Sequence, residues 1–358
     1  MPTPAPAPAT GQAPTYWLYV ANESSDQVSR IAFTPGVGAR KEGNISVGIM
    51  PADIDGPHGL TVSPDGRAWY VSVAHGTPYG RVWKYIAGAD TMAGRVELGF
   101  FPASMATTPD GQFLWAVNFN LHGDPVPSSV SVVYTPTMTE VARPVTCVMP
   151  HGSRINATGT RHYSACMHSE QLVEIDTRTF QVSNRFNLMP GHEGRLKLDD
   201  TGREMHHMGT VVCSPTWAQP GRGRFAALVY VPCNKNQQIL EIDLQAGVVK
   251  RRFPTGKGPY NLTVTPDGRL LLATLKSDQG VQIFDLEQGK EVGRVATSQP
   301  ITHGIVVSPD GWYAFVTNEA IGSTRGTVDV IDLRTMQRVA SVAAEYQPGG
   351  IDFWRMTN

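Results

Sequence analysis

Runs of like charge are missing from this sequence. Its 30 Lys and Arg and 31 Asp and Glu are dispersed and leave a formal net charge of -1, which excludes the basic stripe of a nucleic-acid-binding surface. No apolar stretch approaches the roughly 20 residues of a membrane span. Only four cysteines occur, Cys147, Cys166, Cys213 and Cys233, and none forms a CxxC, so a zinc knuckle is excluded. A large domain does not need disulfides, and buried free cysteine is common; the compartment is not legible from them. Cys166 and Cys233 hold equivalent places in neighbouring repeats, and their bonding state stays open. The segment Met1–Pro14 is rich in Pro, Ala and Thr but has no hydrophobic run, so it is not an intact signal peptide. It reads as a disordered leader (residues 1–14) of an exported protein, periplasmic or secreted.

What the sequence has in quantity is turn residues, 36 Gly and 27 Pro among 358 residues. Such a length exceeds one ordinary core unless the architecture is a barrel or a repeat, and the turns favour many short strands. A repeat is present. Pro57-His58-Gly59 runs on to Ser63-Pro64-Asp65-Gly66, Pro102-Ala103-Ser104 to Thr108-Pro109-Asp110-Gly111, and Pro259-Tyr260-Asn261 to Thr265-Pro266-Asp267-Gly268. Thr302-His303-Gly304 leads to Ser308-Pro309-Asp310-Gly311, with looser copies at Pro150-His151-Gly152 and Pro215-Thr216-Trp217. The period is roughly 40 to 50 residues, that of four-stranded propeller blades. In each unit Pro sets φ, Asp caps the turn and Gly accepts a positive φ.

The two ends complement each other. Trp17–Ala21 reads as a second strand with no first strand before it, and Pro348–Phe353 as a first strand with no second after it. Six complete copies and one shared blade give an all-β, seven-bladed propeller over residues 15–358, with residues 348–353 pairing into a blade formed by residues 17–47. Closure hides the sheet edges. One interval, between Pro150 and Pro215, is long and places a face insertion at residues 187–212. The tetrapeptides Tyr19-Val-Ala-Asn22 and Phe315-Val-Thr-Asn318 resemble the motif of the YVTN-type repeat proteins. That resemblance implies the propeller and leaves the function open.

Ten histidines occur, and three share one repeat position. His58, His151 and His303 each follow the residue that opens an inner strand, in blades one, three and six counted from Pro57. Second strands run antiparallel to first strands, so His75 and His168 return to the same face in blades one and three. In blades five and six Lys276 and Glu319 arrive there instead. The long interval carries Met205-His206-His207-Met208, a possible lid with nitrogen and sulfur donors. His162 reads as a packing residue and His192 as a loop residue.

Imidazole suits copper and zinc, while thioether sulfur selects softer copper states. The expected metal set is His58, His75, His151, His168, His303, His206 and His207, with copper as the cofactor and zinc or iron as alternatives. The pattern resembles the copper propellers, which include the catalytic domain of nitrous oxide reductase and thiocyanate dehydrogenase. No cupredoxin domain follows, which sets the chain apart from the former. The resemblance implies a copper oxidoreductase acting on a small molecule, served by a redox partner protein. Lys276 and Glu319 would then orient substrate or move a proton. Two other readings stand beside it. One is a non-enzymatic propeller contacting a peptide, glycan or protein through Trp217 and Tyr260, and the other is a lactonase-like hydrolase.

Overall fold

The computed structural model describes residues 13–49, 53–75, 80–202 and 211–358. Seven antiparallel sheets follow one another around a ring. The outermost link is the expected one: Pro348–Thr357 pairs with Thr15–Asn22, so the C-terminus supplies the inner strand of blade seven. Its two outer strands are Gln27–Thr34 and Gly38–Ser46, within a residue or two of the expected limits.

The turns behave as their residues dictate. At Ser63–Gly66 the Ser63 hydroxyl and the Arg67 amide both donate to Asp65 Oδ1, at 2.6 and 3.0 Å, while Gly66 takes φ +68°. Neighbouring sheets bury apolar faces against each other. Blades seven and one, for example, share Tyr19 and Trp69, with ring centroids 5.2 Å apart, and Trp69 in turn stacks on Tyr85 at 4.1 Å.

Two blades depart from four strands. Blade two gains Val145–Val148, which pairs with Pro127–Tyr134, and blade three gains Gly194–Arg195. The latter lies in the expected insertion, of which residues 203–210 are outside the described residues. Blade four has the weakest inner strand, reduced to Gln219–Pro220 and a bridge from Pro215 to Cys233. Its two prolines lack the amide that a longer ladder needs.

Six inner strands have the same first-residue register, each opening residue facing the last residue of the second strand: Pro57 on Val73, Pro150 on Cys166, Thr302 on Asn318, Pro348 on Asn22. Positions along the inner strands therefore form rings around the channel. The second position is His58, Ala103, His151, Thr216, Tyr260, His303 or Gly349. In blade four Thr216 occupies the second position and Trp217 the third. Glycine at the third position has a packing cause. A Cβ on Gly59 would lie 2.2 Å from the Ala103 carbonyl oxygen, and one on Gly304 2.3 Å from that of Gly349.

All four cysteines are bonded, Cys147 to Cys166 and Cys213 to Cys233. The first joins the last strand of blade two to the second strand of blade three. The second joins the stretch before Pro215 to the second strand of blade four.

Candidate functional site

His58, His151 and His303 meet at one mouth of the channel. The ring centroid of His58 is 6.0 Å from His151 and 6.1 Å from His303, nearly perpendicular to both. His151 is fixed at both nitrogens. Its Nδ1–H donates to the Thr216 carbonyl at 2.9 Å, and the Tyr260 hydroxyl donates to Nε2 at 3.0 Å. Phe119 and Trp217 pack against the same ring. Burial, and then the neighbouring His58, bring the His151 pKa down to about 3. Burial and the Lys276 ammonium hold His303 well below its ordinary value. Both imidazoles are therefore neutral at neutral pH, the form in which histidine binds metals. The Nδ1 of His303 is buried with no hydrogen-bond partner.

A carboxylate missed by sequence reading organises the other side. Glu23 accepts from His75 Nε2 at 2.7 Å and contacts His58 Nδ1 at 3.0 Å. Burial alone would raise the Glu23 carboxyl, but the two imidazoles reverse that and hold it well below the ordinary carboxylate range. Phe101 fills the gap, 4.7 Å from His75 and 5.4 Å from His58. His122, from the loop after the second strand of blade two, adds a nitrogen 3.4 Å from His75 Nδ1. The signal for Glu23 was present. Asn22-Glu23 ends the second strand of blade seven as Asn318-Glu319 ends that of blade six.

Lys276 and Glu319 are part of this mouth and not loose rim charges. They pair at 2.9 Å, Lys276 lies 4.4 Å over the Tyr260 ring, and Glu319 is 3.6 Å from His303 Nε2. Burial opposes the ammonium, but Tyr260, Glu319 and Glu23 outweigh it and keep the Lys276 pKa above its ordinary value. Lys276 is thus a cation at neutral pH and can orient a substrate, but it cannot take up a proton. Burial pushes the Tyr260 hydroxyl up to about 12, so it stays a donor.

The remaining expected residues have their own surroundings. His168 is half-buried at the end of the second strand of blade three, and His206 and His207 lie outside the described residues. His162 is a packing residue, stacked on Trp115 at 4.9 Å with Nε2 2.8 Å from Ser153 Oγ. His192 is exposed on its loop. Trp217 and Tyr260 are only 6% and 8% exposed, so they are channel lining and not a broad contact surface. Among the described residues, no three His, Cys, Asp or Glu side chains are close enough to hold one ion. No helix among them is long and apolar enough to cross a membrane.

No protein-family profile and no curated protein matches the chain. Solved structures do share its fold. Hydrazine synthase from Kuenenia stuttgartiensis is 19% identical with a TM-score of 0.64, covering 86% of this chain and 92% of that one. A periplasmic gluconolactonase of Pseudomonas aeruginosa is 17% identical with a TM-score of 0.68, covering 95% and 99%. A protein of unknown function from Desulfotomaculum acetoxidans is 13% identical with a TM-score of 0.69, covering 94% and 98%. At such identities the likeness is one of fold, and the YVTN and copper-propeller resemblances rest on sequence motifs alone.

Proposed function

We propose that the chain is an oxidoreductase acting on a small molecule at the histidine mouth, with copper held by His58, His151 and His303. One observation carries this reading: the imidazoles of His151 and His303, from two other blades, gather around His58, and both are kept neutral by burial. The donor chemistry fits. His303 brings a buried nitrogen without a partner, and the backbone bond at His151 Nδ1 fixes the tautomer whose Nε2 accepts from the Tyr260 hydroxyl, so a metal at that nitrogen would have to displace Tyr260. The described residues form no ready-made group of three donors, so copper would have to draw the three imidazoles together. Met205, His206, His207 and Met208 would supply further donors that favour copper over zinc or iron. His75 and His168 would stand behind the first three.

Bound copper would supply electron acceptance and Lewis acidity. The chain's own groups would do the rest. Lys276 would hold the electron-rich end of the substrate, and Glu319 beside it would receive a proton. Glu23 would orient His58 and His75 through its two oxygens. The electrons would leave to a redox partner protein. Two disulfides suit an oxidising compartment, periplasmic or extracellular.

The Glu23–imidazole pair favours a second reading. A carboxylate-oriented His75 could activate water, and Lys276 could stabilise an oxyanion, as a lactone hydrolase requires. Elemental analysis and electron paramagnetic resonance of untagged protein decide between the two. Copper in the wild type and its loss in His151→Ala but not His192→Ala are expected, with thermal unfolding showing both variants folded. Equal copper in the two variants, or none in the wild type after reconstitution, overturns the copper reading. Lactone hydrolysis that survives chelation supports the second.

A further inference from the structure

Deeper in the channel the fifth positions of the inner strands form another ring, with Thr61, Arg154, Gln219, Thr263 and Asp352 as its polar members. Arg154 does not stay at that level. Its guanidinium reaches to the third-position residues, lying 4.8 Å over the Trp217 ring and donating to Asn261 Oδ1 at 3.4 Å and to its neighbour's carbonyl, Ser153 O, at 3.0 Å. Five N–H donors meet two acceptors there. Burial lowers the Arg154 pKa only to about 10, so the group is a cation at neutral pH.

No ion pair among the described residues includes it. The carboxylate that acts on it is Asp352, four blades on. Asp352 is already engaged: Thr61 Oγ1 and the Val62 amide donate to Oδ2 at 3.0 and 2.8 Å, and the Phe353 amide donates to Oδ1 at 2.8 Å. Burial also raises its pKa, so its negative charge is the less secure of the two. A desolvated cation without a contacting counter-ion is costly. Beside it is a cavity of about 40 Å³ bounded by His58, Trp217, Asn261, His303 and the glycine backbones of the third positions. That is room for roughly three waters. Leu60, Met105 and Ile351 line both this cavity and the wider basin that opens at the opposite mouth.

We propose that Arg154 anchors an anion site in the middle of the channel, filled from the mouth opposite the histidines by a small monovalent anion of the size of chloride or formate. Asn261 offers an amide to the same ligand, and Trp217 holds the guanidinium plane from behind. The site does not rest on the copper reading.

The test uses the full chain, with thermal unfolding followed in sodium chloride, sodium formate and sodium isethionate at one ionic strength. Chloride or formate is expected to raise the unfolding temperature by several degrees over isethionate, and Arg154→Gln to remove the difference. Stabilisation by formate alone identifies a carboxylate ligand, and by chloride alone a halide. Should Arg154→Gln fail to fold, crystals of the wild type soaked in bromide give an independent reading, an anomalous peak within hydrogen-bonding distance of Arg154. Unfolding temperatures equal in all three salts, together with no bromide at Arg154, overturn the proposal. Binding of the anion in protein that takes up no copper after reconstitution would support this site while the function proposed above falls.

Discussion

His151, His162 and His303 sit among rings and backbone and away from water, and burial keeps each imidazole uncharged. The values for His151 and His162 fall to about 3, and His303 moves the same way. In an unfolded chain each titrates near its ordinary value of about 6.5. Below that pH the unfolded state holds more protons than the folded one. Stability therefore falls as pH falls from about 6.5 towards the folded values, by up to about 1.4 kcal/mol per pH unit for each histidine, and is unaffected by them above it. Replacing His162 isolates one of the three, because it lies in packing and outside the mouth. His162→Phe is expected to reduce the decline of unfolding temperature between pH 6.5 and 5 by about a third. An unchanged slope would mean that His162 carries its proton in the folded state.

At the scale of the strand, the third-position glycines set how closely the inner strands approach and so where the histidines before them point. Ala103 leaves no room for a Cβ on Gly59, and its carbonyl is backbone that cannot turn aside. Gly59→Ala should destabilise by about 1–3 kcal/mol and displace His58, lowering any metal affinity of the mouth as well. Gly43, in an outer strand with nothing within 4 Å of its Cβ position, should tolerate alanine with little change in unfolding temperature. Similar losses at both positions would show that strand propensity and not close approach governs these glycines. The same element explains what could be read beforehand. Turns and closure were legible because Ser/Thr-Pro-Asp-Gly and period-two strands are local signals. The shared position of His58, His151 and His303 followed from them. Glu23 was harder to find, because it lies outside any complete copy and gains its meaning only when the termini meet. The Cys147–Cys166 pair and the reach of Arg154 depend on neighbouring blades, which no local pattern encodes.

For the whole molecule, the decisive constraint is that blade one must find blade seven, and blade seven exists only when both chain ends contribute. Thr15 faces Thr357 and Asn22 faces Pro348 across one ladder, and Trp354 and Ile351 bury themselves in clusters on either side of it. Removing residues 348–358 exposes the edge of Thr15–Asn22 and opens the channel wall, so that protein is expected to aggregate or to unfold well below the intact chain. Connectivity itself should matter far less than closure. Joining residue 358 to residue 13 through a short Gly/Ser linker, and opening the chain at the exposed hairpin between Gln245 and Ala246, keeps every strand pair. The ends are already adjacent, so the linker adds little loop entropy. This permutant should unfold cooperatively within a few degrees of the parent, as calorimetry can measure, while the truncated chain does not. A permutant as unstable as the truncation would locate the stability of the ring in the order of its blades and not in the joint between them.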